Sequence, residues 1–186
     1  MNLEIQSLEH LRSILSDNQI DFSQWGQKAT KPIEELWGEI EGGETRIRND
    51  DQGICRVVGV ANVYVKYQSA EGEELNLWEE RREFVNGDSD RRNFDFLAEK
   101  GYPSEDELEW AARALGEELG LAIPTSRIQK LGREIKFDDE EKTSFRGLKS
   151  EYQIYRYEVY LTKDEFNPNG YVEIQENKKS IYFVWK

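Results

Sequence analysis

Apolar positions recur at two different periods along the chain, and the change of period separates helical from extended stretches. Leu8, Leu11 and Leu15 fall three and four residues apart, as do Ile33, Leu36, Trp37 and Ile40, which run into Gly42 and Gly43. Spacing near 3.6 places each set on one face of a helix, so the first 48 residues predict two short amphipathic helices joined by a loop around Phe22, Trp25 and Gly26. From Arg56 the period drops toward two. Val58, Val60, Val63, Val65 and Tyr67 favour extended backbone, and the polar stretch Ser69 to Glu74 separates them from Leu75, Leu77 and Trp78, which predicts a long hairpin. Asn86-Gly87 is a turn signal, and the polar run from there to Asn93 reads as an exposed loop.

The helical period then returns once. Pro103-Ser104 predicts a helix start, because the Ser104 hydroxyl can accept from an orphan backbone N–H while Glu107, three residues on, can complete a capping box. Leu108, Ala111, Ala112, Leu115 and Leu119 form an apolar stripe, and Gly120 supplies the stop. Beyond it, Ile128 to Phe137 and Tyr152 to Leu161 read as strands with an acidic loop, Asp138 to Glu141, between them. Tyr171 to Ile174 and Ile181 to Trp185 read as a terminal hairpin turning near Asn177. There is no internal repeat and no low-complexity tract. The expected architecture is α+β, with helices flanking a mixed sheet.

Composition narrows the function classes. At 186 residues the chain can bury one sizeable core. A formal net charge of −13 opposes binding to polyanions, so neither a nucleic-acid polymer nor an anionic membrane is expected as partner, although a local basic pocket is not excluded by the total. Five Trp, nine Tyr and eight Phe point to a folded protein rather than an acidic disordered one. Cys55 is the only cysteine, which rules out an internal disulfide and a cysteine-rich zinc site. His10 is the only histidine and lies in the first helix, so a histidine-based general base or a Ser-His triad finds no support. The opening residues lack a basic leader and no stretch approaches about 18 apolar residues, which makes a cytoplasmic location the expectation.

The candidate chemistry lies at the end of the central helix, in Glu117-Glu118-Leu119-Gly120-Leu121. Counting back, Leu115, Arg113 and Glu105 fall where the Nudix box carries its bulky apolar residue, its arginine and its first glutamate, so the segment resembles that family's signature. Two positions depart from it: the initial glycine is Glu99, and the glutamate after the arginine is Ala114. The resemblance extends outward. Ala98-Glu99-Lys100, leading through Pro103-Ser104-Glu105, is similar to a branch of Nudix-like proteins. So are Trp25-Gly26, Lys31, Leu36-Trp37, Gly43-Glu44, the Phe145-Arg146-Gly147-Leu148 loop and Tyr182-Phe183-Val184-Trp185.

The resemblance implies a Nudix-like α/β/α sandwich over residues 49–186, with residues 1–48 as a short N-terminal helical extension packed on it. It implies hydrolysis of a nucleoside diphosphate linked to another moiety, with Glu117 and Glu118 as metal ligands for Mg²⁺ or Mn²⁺ and as the catalytic carboxylates. At about 100° per residue, Ala114 and Glu118 share a helix face. Alanine there can neither ligate nor assist a base, so the alternative is a catalytically degenerate nucleotide-binding or regulatory module. Glu105 and Arg113 are expected as a structural brace, and Arg81, Arg82 and Lys100, with Arg91 and Arg92, as the groups meeting phosphate. Glu107 and the acidic loop are further candidate ligands, and Trp78, Tyr102 and Trp110 candidate base-stacking groups. Each has an ordinary counterpart: a cap, a solvated loop and core aromatics. The expected partner is a nucleotide-type small molecule, with a homodimer or protein contact through the N-terminal helices as a second possibility.

Overall fold

In chain order the secondary structure runs α1 (Leu8–Asp17), α2 (Ile33–Glu41), β1 (Thr45–Asp50), β2 (Gly53–Gln68), β3 (Glu74–Phe84), β4 (Ser89–Phe94), β5 (Leu97–Lys100), α3 (Glu107–Leu119), β6 (Gln129–Phe137), β7 (Ser150–Tyr160), β8 (Tyr171–Gln175) and β9 (Lys179–Trp185). The computed structural model describes every residue except Lys28, Ala29, Pro103, residues 139–143 and Asn177. The architecture is α+β with a mixed sheet, whose main path is β6-β7-β2-β3-β9-β8. Among the described residues, no helix is long and apolar enough to cross a membrane.

The chain divides into two compact units. The first comprises Met1–Val60, Lys100–Ser104 and Glu134–Ile154, and the second comprises Ala61–Glu99, Glu105–Arg133 and Tyr155–Lys186. In the first unit Ser7 caps α1 by accepting from the His10 N–H at 3.1 Å, and the helix buries its Leu11 and Leu15 face. That face joins Leu36 of α2, Trp25, Ile47, Phe145 and Leu148 in one cluster. Trp25 stacks at a tilt on Phe145, 5.2 Å between centroids, and donates its indole N–H to the Arg146 carbonyl at 2.9 Å. Buried beside this cluster, Glu39 meets Arg56 at 2.6 Å, Lys100 at 2.7 Å and Lys31 at 3.0 Å, and accepts from the Thr45 hydroxyl at 3.2 Å. Burial works against its ionisation, but Arg56 and Lys100 outweigh that cost and hold its carboxyl down to about 2.

In the second unit β2 and β7 alternate between buried and less buried residues, apart from the buried Asn62. Ala61, Val63 and Val65 of β2 and Tyr155, Tyr157 and Val159 of β7 are buried with Ala111, Ala114, Leu115 and Leu119 of α3. Because successive side chains point to opposite faces, Tyr64, Lys66, Arg156 and Glu158 fall on the face away from this core. Lys66–Gln68 pairs with Glu74–Asn76 to close the expected β2/β3 hairpin, and β9 lies antiparallel between β3 and β8.

Three sequence expectations are corrected. The start of α3 is not capped by Ser104 and Glu107. Asp106 is the cap, accepting from the Leu108 and Glu109 N–H groups at 2.8 and 3.0 Å while Glu109 accepts from the Asp106 N–H at 2.8 Å. A carboxylate in reach of two orphan donors outcompetes a hydroxyl two residues earlier, and Glu107 is left to pair with Lys130. The run ending at Asn93 is not a loop: Ser89–Phe94 forms β4, paired with β3 from Glu83↔Ser89 to Glu79↔Phe94. The first strand is β1, not the Arg56 run, and it pairs with a β2 that begins at Gly53. The acidic residues 139–141 and Asn177 lie outside the described residues.

Candidate functional site

The site is built around the last turn of α3. Gly120 ends the helix in the left-handed conformation, φ 71°, and the buried Leu115 and Leu119 pin this turn to the sheet, so Glu117 and Glu118 emerge from a fixed terminus. Ahead of the helix, Glu105 lies outside it and reaches Arg113 across the eight-residue gap. Arg113 Nη2 is 3.1 Å from Glu105, its Nη1 is 2.7 Å from Glu99, and Glu117 stands at 4.0 Å. One guanidinium thus ties together the N-terminal lead, the end of β5 and the helix.

Beside this turn is a cleft of about 170 Å³. Its wall is strongly acidic: Glu117 and Glu118 from α3, Glu99 from β5, Glu79 from β3 and Glu173 from β8, with Arg92 of β4 and Lys179 of β9 as the cations. Glu79 is 5% exposed and pairs with Arg92 at 3.2 Å, yet burial still raises its carboxyl above the usual range. Glu118 is half-buried, and among the described residues it has no hydrogen-bond or ion-pair partner. Burial first, then the negative charges of Glu173, Glu99 and Glu79, push its carboxyl up to about 9 against a weaker opposing pull from Arg92. Lys179 is depressed by burial and by Arg82, with Glu173 and Glu79 opposing. In the free protein, Glu118 at neutral pH is therefore a protonated carboxyl facing four other carboxylates.

The remaining predicted residues are placed elsewhere. Arg81 lies between Glu80 and Glu83, each at 3.0 Å, and stacks over Tyr182 at 3.8 Å. Arg82 grips Asp90, with its Nε at 2.9 Å. Lys100 belongs to the first unit, held by Glu39 and by Glu44 at 3.0 Å. Of the basic cluster singled out by sequence, Arg92 alone lines the acidic cleft. Trp110 packs edge-on against Tyr155 with 5.5 Å between centroids, and Trp78 lies under Lys186. Ala114 is fully buried in the core of the second unit. Lys179, Glu79 and Glu173 carried no sequence signal; they arrive through the β3/β9/β8 pairing.

The donors suit a hard divalent cation in kind, since carboxylate oxygens are what Mg²⁺ and Mn²⁺ take. Among the described residues, no group of three or more His, Cys, Asp or Glu side chains is gathered closely enough to hold a metal by itself. Mg²⁺ characteristically uses one or two carboxylates and completes its octahedron with water and phosphate oxygens, which Glu117 and Glu118 can accommodate.

No sequence family matches the chain, and no curated protein matches it. Solved structures similar to it include the C-terminal domain of mouse MUTYH, from its complex with human PCNA, at 20% identity over 69% of this chain and 71% of that one, TM-score 0.36. A C. elegans Ap4A hydrolase matches at 18% identity over 69% and 79%, TM-score 0.34. RenU, a Nudix hydrolase from M. smegmatis, matches at 13% identity over 74% and 78%, TM-score 0.39.

Proposed function

We propose that the second unit carries a Nudix-type site in which Glu117 and Glu118 hold Mg²⁺ or Mn²⁺ and, through it, the diphosphate of a nucleoside diphosphate linked to another moiety, which is then hydrolysed. The observation that supports this reading is Glu118 itself: a half-buried, unpaired carboxyl pushed up to about 9 first by burial and then by its acidic neighbours. Such a group is costly to ionise until a cation arrives, and it is then an available ligand. A bound divalent cation would neutralise diphosphate oxygens and acidify an attacking water. The chain's own groups do the rest. Glu118 and Glu117 would hold the cation, Glu118 giving up its proton to do so, and Arg92 and Lys179, in the same cleft, would meet the remaining phosphate charge. Arg113, by holding Glu99 and Glu105, keeps the end of β5 and α3 in register.

A second reading, a binding module without turnover, is favoured by one observation. Ala114, in the position where the resemblance would have a carboxylate, is 0% exposed and packed in the core, so it contributes nothing to the cleft. Hydrolysis of a panel of nucleoside diphosphate derivatives in Mg²⁺ or Mn²⁺ separates the two. The hydrolase reading expects turnover that Glu118→Gln lowers by about a hundredfold or more. Ligand-induced stabilisation of the wild type without any release of product would instead establish the binding module.

A further inference from the structure

On the face of the second unit's sheet away from α3, a cavity of about 420 Å³ opens among β2, β3, β6 and β7. Its size lies within the range of small-molecule sites, of the order of 300–1,000 Å³. The ionic groups lining it divide into two kinds. Lys66 and Glu158 satisfy one another at 2.8 Å, and Lys66 also meets Glu74 at 3.3 Å. Arg156 and Asp95 have no such match: among the described residues, neither side chain makes a hydrogen bond or an ion pair. The Arg156 Nε is sealed from solvent without an acceptor. What the cavity presents is the pair itself: a guanidinium and a carboxyl group in one lining, neither matched by a side chain among the described residues, which leaves both charges to a partner the protein does not itself supply.

The arrangement also limits what that partner is. A guanidinium fork matches a carboxylate or a phosphate, while Asp95 requires a donor, best a cationic one. A phosphate would satisfy Arg156 but bring a like charge toward Asp95 and Glu158. A ligand carrying both signs satisfies both ends. Tyr64, packed edge-on against Phe96 at 5.8 Å, and the exposed Leu131 add apolar surface to the same lining.

We propose that this cavity binds a zwitterionic small molecule of the α-amino-acid type with a large apolar side chain. Arg156 takes the carboxylate, Asp95 takes the ammonium group, and Tyr64 and Leu131 contact the side chain. The cavity is distinct from the acidic cleft in every lining residue, so this assignment stands whether or not the Nudix-type reading does.

The test is a thermal-shift screen of the intact chain against the proteinogenic amino acids, followed by calorimetry on the best binder, its amide and its deaminated acid. The amino acid is expected to raise the unfolding midpoint, and each analogue, lacking one charge, to bind about tenfold more weakly or worse. Arg156→Gln and Asp95→Asn are each expected to weaken the parent ligand by a similar factor, with their ligand-free midpoints establishing that both variants fold. Arg156→Lys, retaining charge without the fork, should fall between. Equal binding of the deaminated acid, binding unaffected by Asp95→Asn, or no amino acid binding at all would overturn the assignment.

Discussion

At the scale of single residues, Glu118 and Ala114 lie one helical turn apart and have opposite surroundings. Ala114 is sealed into the core, whereas Glu118 borders the acidic cleft. The helix face that a wheel projection assigns to both is therefore split by the sheet: its part nearer the middle of α3 is covered, and only the final turn reaches the cleft. The pair Glu117-Glu118 was legible in the sequence because its spacing from Gly120, Arg113 and Glu105 is short-range. The electrostatic state of Glu118 is not, because it depends first on burial and then on Glu173, Glu99 and Glu79, residues the sheet brings together from far apart in the chain. A measurable consequence follows from the carboxyl standing at about 9. At pH 7 it is almost wholly protonated, so a cation that takes it as ligand must displace about one proton. Mn²⁺ titrations in buffers of different ionisation enthalpy should show release of about one proton per ion, with affinity rising as pH approaches 9. Glu118→Gln should release none. A wild type that binds Mn²⁺ without proton release would mean the carboxyl is already ionised, contrary to its surroundings here.

At the scale of elements, the strands that the sequence did not disclose share a cause. β1, with Ile47 as its one strongly apolar residue, and β4, Ser89–Phe94, carry too few apolar side chains to show a period of two. They are extended because β2 and β3 offer backbone partners, a tertiary effect that local pattern cannot carry. β2, β7 and α3 bury enough apolar side chains for periodicity to disclose each element, although not where β2 and α3 begin. The cap of α3 is a subtler case, since Ser104 and Asp106 are both good cap types and only geometry separates them. Asp106→Ala removes an acceptor for two N–H groups and should cost about 1 kcal/mol, within the 0.5–2 kcal/mol typical of caps. Ser104→Ala, at an exposed position, should cost close to nothing. Thermal unfolding of the two variants checks this, and a larger loss from Ser104→Ala would contradict the assigned cap.

At the scale of the whole molecule, the carboxylates with displaced pKa values pull stability in opposite directions with pH. Glu39 is held at about 2, where Arg56 and Lys100 overcome its burial, and Glu165 at about 2, chiefly through its hydrogen bonds from Arg127. A carboxyl depressed in the folded state contributes stability above its unfolded value near 4.5, and that contribution is lost as pH falls from there toward 2. Glu118 behaves in reverse. Raised to about 9, it keeps its proton in the folded state while the unfolded chain has already lost it, so stability declines from about pH 4.5 to about 9. The net charge of −13 adds to this decline, since the self-repulsion of a chain with pI near 4.7 grows as pH rises. Thermal melts from pH 3 to pH 9 in the presence of a chelator should therefore peak nearer pH 5 than pH 8. In Glu118→Gln the alkaline decline should be shallower while the acid limb is unchanged, because Glu39 and Glu165 are untouched. A wild-type profile flat from pH 5 to 9, or an identical alkaline limb in the variant, would show that Glu118 is not the group that makes the unliganded protein less stable at high pH.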